Sequence, residues 1–67
     1  MTIAKVIEVL AQSDKGWQEA TQEALAEAKK TVRNIRAIYI KDMQADVEDG
    51  VIIQYRVTAK ITFLVDS

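Results

Sequence analysis

Few side chains in this 67-residue chain can do chemistry. Four carboxylates, Asp42, Asp46, Glu48 and Asp49, stand close together in "KDMQADVEDG", and oxygen-rich stretches of this kind can hold calcium or magnesium. Their spacing is not that of an EF-hand loop, which needs oxygens at alternating positions and a late bidentate Glu. A solvated turn is the simpler reading; the alternative is a site completed by symmetry, one carboxylate repeated about a rotation axis. Arg56, a fixed cation with five donors, can hold an anionic ligand or pair with a carboxylate across a subunit contact. Lys5 and Glu8 are candidates for an interface ion pair, a contact that contributes about 0–1 kcal/mol when exposed. Tyr39, Tyr55, Lys5, Lys41 and Lys60 could serve as acids or bases, yet no spacing assembles a nucleophile, a base and an orienting group. The chain has no Cys and no His, which removes thiolate metal sites and the commonest general base at neutral pH. Gly16 and Gly50 are its only glycines, so there is no glycine-rich phosphate loop. The expectation is a binding or structural protein, not an enzyme.

The composition narrows the partners. Nine basic and ten acidic residues leave a net charge of -1, which creates no long-range field for nucleic acid phosphates. No apolar run is long enough to span a membrane, and "MTIAKVIEVL" lacks the features of a signal peptide. A cytoplasmic location is therefore expected, although an exported mature form would read the same. Residues 1–67 make one domain, and a core of this size rarely supplies more than ~3–5 kcal/mol without disulfides, a metal or partner subunits. With disulfides excluded, self-association is the expected stabiliser.

The elements that must position these groups follow from pattern. "TIAKVIEVL" is rich in β-branched residues and runs into the turn-forming cluster "AQSDKG", which predicts a first strand over Ile3 to Leu10. Ser13 is the expected N-cap of a helix from Asp14 to Val32, with Asp14 in its first turn. Trp17, Ala20, Thr21, Ala24, Ala28 and Val32 form its apolar stripe, so Trp17 reads as core. The small alanines allow a sheet to approach closely. Asn34 to Gln44 reads as a second strand, "ADVEDG" follows it, and Asp49-Gly50 is a reversal signal. "VIIQYRVTAKITFLV", from Val51 to Val65, places an apolar residue at every odd position. These odd residues are expected to face the helix, while Ile52, Leu64 and the threonines make the even face too apolar for ordinary solvent. The expected fold is α+β, a β-α-β-β three-stranded antiparallel sheet with one helix on one face. At ~3.3 Å per residue the last strand outruns any helix this chain can form, so the overhang and the second face are expected to be interface.

The order of these elements and several local strings resemble the dodecins, small β-α-β-β proteins that assemble as hollow twelve-subunit cages and bind flavins. "KVIEVLAQS" is similar to the family's first strand and helix cap, with Ala11-Gln12 replacing a Gly-Thr. "ALAEAKKTVRNI" is similar to its helix end, and "YRVTAKITFLVD" to its last strand. The resemblance implies a homo-oligomer, a dodecamer, that sequesters a small ligand or stores and buffers FMN, FAD or riboflavin. It also implies where the ligand site departs from the family: Ala37 stands where flavin-binding members place a stacking Trp, and Arg56 where they place a Gln that bonds the flavin's polar edge. Losing one aromatic stack removes ~0.5–1.5 kcal/mol beyond burial, so weakened or lost flavin binding is expected. A branch of the family without that Trp binds calcium, which keeps Asp42, Asp46, Glu48 and Asp49 in view as a calcium or magnesium alternative. A purely structural shell is the third reading.

Overall fold

The computed structural model describes residues 2–66. In chain order they form β1 (Thr2–Ser13), α1 (Trp17–Lys29), β2 (Ile35–Glu48) and β3 (Val51–Asp66). The sheet is three-stranded and antiparallel with the order β1-β3-β2, so the last strand is central and the first two are its edges. This is the expected β-α-β-β arrangement. The chain connects its two parallel edge strands through α1, which lies on one face of the sheet.

The helix is shorter than its sequence pattern predicts. It begins at Trp17 rather than Asp14, because β1 continues through Ala11, Gln12 and Ser13, which pair with Val57, Arg56 and Tyr55. Ser13 is therefore not the N-cap. Its Oγ accepts the Lys15 backbone N–H at 3.0 Å, and Gly16 precedes the helix without a side-chain cap. Glu19, not Asp14, is the carboxylate of the first turn. At the other end the Lys30 and Thr31 N–H groups bond to the Glu27 and Ala28 carbonyls, a tightening common in last turns. Asn34 then takes a positive φ of 61°, a conformation Asn tolerates better than most residues, and redirects the chain into β2.

β2 runs four residues beyond Gln44, so "ADVE" belongs to the strand and only Asp49-Gly50 turns. Both turn residues have positive φ, 52° and 76°, as a two-residue type I′ hairpin requires. Three irregularities interrupt the β2–β3 ladder. Ile53 is the extra residue between the Asp46↔Gln54 and Val47↔Ile52 pairs, and Lys41 is the extra residue between Ile40↔Ala59 and Asp42↔Thr58. A third lies at Arg36. The first two compensate: between them residues 42–46 have their alternation inverted relative to the segments on either side.

The core lies where α1 crosses the sheet. Ala20, Ala24 and Ala28 are buried against the odd face of β3, where Val57, Ala59 and Ile61 are also buried. Ile7, Val9 and Ala11 of β1 flank them half-buried. Trp17 closes one end: it is half-buried, its ring meets Tyr55 edge-on at 4.9 Å, and its Nε1–H donates to the Gln44 carbonyl at 3.0 Å. The odd face of β3 is thus buried at Val57, Ala59 and Ile61 and half-buried at Tyr55, Phe63 and Val65, whereas Val51 and Ile53 remain exposed at 61% and 46%. Val57 and Ile61 are the largest side chains fully buried, each contributing about 1.5–3 kcal/mol.

This is little core for much surface. The chain exposes 4959 Å², against about 4250 Å² for an average folded monomer of its mass. Its radius of gyration is 13.9 Å, against about 11 Å for a compact chain of this length. Because Ala24 separates helix from sheet by no more than a methyl group, Ala24→Leu should lose about 1–3 kcal/mol through overpacking. Ala26→Leu, on the exposed side of the same helix, should stay within about 0.5 kcal/mol of the parent. Urea denaturation followed by circular dichroism at one fixed protein concentration measures both.

Candidate functional site

The sheet face away from α1 carries the polar constellation of this molecule. Arg56 lies on central β3, opposite Gln12 of β1 and Gln44 of β2. Its Nη2 donates to Asp46 Oδ2 at 2.7 Å, and its Nε donates to Gln12 Oε1 at a longer 3.4 Å. The ion pair is partly exposed, at 32% for Arg56 and 40% for Asp46, and its contribution to stability is about 0–1 kcal/mol. The expected subunit-contact carboxylate for Arg56 is thus found within the same chain. Beside the guanidinium lies a cleft of about 320 Å³ lined by Leu10, Ala11, Gln12 and Arg56.

The hairpin bulge makes this pairing possible. An uninterrupted ladder from the Glu48↔Val51 pair would set Asp46 opposite Ile53 and turn its side chain to the helix side. The extra Ile53 sets it opposite Gln54 instead, on the face of Arg56. The Lys41 bulge also lets that lysine cross the open face to Glu8, 3.8 Å away. Lys5 cannot share this contact, because it alternates to the other side of β1 from Glu8. Within one chain the partner of Glu8 is Lys41.

Ala37 lies on the same open face, exposed and opposite Thr62. Six residues of β3 separate Thr62 from Arg56, roughly 20 Å at the rise of a strand. One chain therefore does not bring Ala37 and Arg56 around a common small ligand. The four carboxylates are likewise dispersed. Asp42 is exposed on β2 opposite Thr58, Asp46 is held by Arg56, Glu48 ends the strand, and Asp49 is in the turn. Among the described residues no three Asp or Glu side chains converge on one point to hold a metal ion.

Chemically, the site is a recogniser. The Arg56 guanidinium is a fork of hydrogen-bond donors with no acceptor. Two of its donor groups are engaged, and the rest can bond a carbonyl or anionic oxygen. Around it Leu10 and Ile52, 64% and 46% exposed, with Val6 and Tyr39 further along, supply apolar surface. Sequence reasoning missed Gln12 as a partner of Arg56. Its signal was the register of β1, which no local pattern specifies.

The fold and this chain's sequence have known counterparts. The family model for Dodecin matches residues 3–66. A calcium dodecin from Mycobacterium tuberculosis is 29% identical over 63 residues, covering 94% of this chain and 89% of the relative. A dodecin from Thermus thermophilus is 28% identical over 61 residues, covering 91% and 88%. The crystal structure of an arginine-to-alanine variant of the T. thermophilus protein superposes with a TM-score of 0.93 at 25% identity, over the full length of both chains. The calcium dodecin structure superposes with a TM-score of 0.80 at 28% identity, covering 91% of this chain and 87% of that one. With the match running through all four elements, the chain belongs to the dodecin family.

Proposed function

We propose that the chain is one subunit of a closed homo-oligomer, a dodecamer, which binds or sequesters a small ligand without transforming it. The observation that carries this reading is the open sheet face, along which Val6, Leu10, Tyr39 and Ile52 stand 46–64% exposed with no helix to cover them. Large apolar side chains repeated along one uncovered sheet face mark an interaction surface. The separation of Ala37 from Arg56 supports it as well, since a ligand touching both positions needs a second copy. At these positions flavin binds weakly or not at all: Ala37 offers no ring to stack on, and Arg56 is already drawn to Asp46. A sequence without Cys or His, and so without the commonest general base at neutral pH, supports a binding role. No helix among the described residues is long and apolar enough to cross a membrane, and a cytoplasmic location agrees with that.

A second reading, a calcium or magnesium cage, is favoured by the relative named calcium dodecin, whose structure is described as having a novel calcium-binding site. Here Asp42, Glu48 and Asp49 would supply oxygens from several copies. Asp46 is less suited, because Arg56 competes for its carboxylate.

Light scattering on the purified protein, read with its visible absorbance, separates these readings from a monomeric one. A mass of twelve subunits without flavin bands is expected, and a well-folded monomer at micromolar concentration would overturn the assembly. The double substitution Ala37→Trp with Arg56→Gln should create measurable flavin affinity, read as quenching of flavin fluorescence. Unchanged fluorescence on titration would show that these two positions do not line the pocket. If the cage holds calcium, saturating calcium at a hundredfold excess over its Kd should add about 2.7 kcal/mol of apparent stability. A melting temperature indifferent to calcium and to chelator would remove the cation reading.

A further inference from the structure

We propose that the β2–β3 hairpin tip of one copy docks into the groove at the helix C-terminus of another, so that subunits meet head to tail. The inference rests on the assembly reading above and specifies one of its contacts. The groove, about 510 Å³, has Leu25, Val32 and Ile35 among its lining and carries Lys29 and Arg33. A neighbouring cleft of about 270 Å³ shares Arg33 and adds Phe63 and Leu64. Arg36 stands exposed just beyond. Lys30 is paired with Glu27, but no carboxylate of residues 2–65 is within ion-pair distance of Lys29, Arg33 or Arg36. An apolar floor with an uncompensated basic rim calls for an apolar, acidic occupant.

The same chain carries one. At the hairpin tip Val47 and Val51 are 63% and 61% exposed, and Ile52 and Ile53 are each 46% exposed. Glu48 and Asp49 lie between them, again without an ion-pair partner among the described residues. The two surfaces complement each other in polarity and in sign of charge. They cannot meet within one chain. The tip is marked by the Glu48↔Val51 pair and the groove end by Ile35↔Phe63, twelve strand residues apart, or about 40 Å, in a molecule 53 Å long. A contact that joins different patches on two copies is heterologous, and it closes into a ring when its rotation permits. It also occupies Glu48 and Asp49, so these two carboxylates serve the subunit contact in place of a cation.

The test is reversal of charge at exposed positions. Arg33→Glu and Glu48→Lys should each raise the protein concentration at which the assembly dissociates by about tenfold or more. The chain carrying both substitutions should return close to the parent, because the ion pair is restored with its polarity inverted. The neutral variants Arg33→Gln and Glu48→Gln should weaken assembly less than either reversal. Sedimentation velocity reads the dissociation, and circular dichroism checks that each variant keeps its fold. An assembled parent whose single variants dissociate as it does, or a double variant weaker than both singles, would overturn the head-to-tail contact and leave the assembly reading standing. A monomeric parent would overturn both.

Discussion

A helix of 13 residues, about 20 Å long, lies on a molecule 53 Å in its longest dimension. That mismatch governs everything else in this protein. Only the middle of the sheet acquires a dry face, and it does so with alanines on the helix side, which bring the backbones close and bury little area. The two ends of the sheet and its whole second face are left to other interactions. A disulfide could have offset this deficit, but the chain has no cysteine. What the sequence does provide is an uncovered face whose residues are apolar at the flanks and polar at Arg56, Gln12 and Asp46.

The bulges on the two sides of residues 42–46 show how one strand can serve two purposes. Inverting the alternation of that short segment brings Asp46 to Arg56 and leaves Ile38 and Ile40 half-buried on the helix side of the strand. A regular ladder would have set Asp46 opposite the exposed Ile53, away from Arg56, and Asp42 opposite the buried Val57, where an unpaired carboxylate is costly. The bulges therefore keep the carboxylates of β2 out of the core and create the ion pair on the open face. They also bend the strand locally and increase its twist.

Period-two alternation in β3 and the alanine spacing of α1 made the fold legible in sequence, because both patterns report burial against a single partner. The strand ends were less legible. β1 absorbed Ser13 because β3 is long enough to offer it Tyr55 as a partner, so a local capping signal lost to a nonlocal ladder. Similarly, "ADVE" has the composition of a turn but is held extended by pairing up to Glu48. Arg56 could be singled out as one of the two cations of β3, the other being Lys60. Its actual partners, Asp46 and Gln12, depend on one inserted residue and on a register between distant segments, neither of which composition encodes.

The strand order also bears on how the chain is made. β3 is central, yet it follows β1 and β2 in sequence, and Thr2 pairs with Asp66. While the ribosome is still producing β3, neither earlier strand has the neighbour it needs, and the apolar side of the helix has no completed sheet to cover. The hairpin of β2 and β3 is the local event that can begin the sheet, and β1 must return across nearly the entire sequence to finish it. High sequence separation of this kind slows folding. Nascent chains accordingly emerge with β1 unpaired, and the sheet forms as a whole only after β3 has been synthesised.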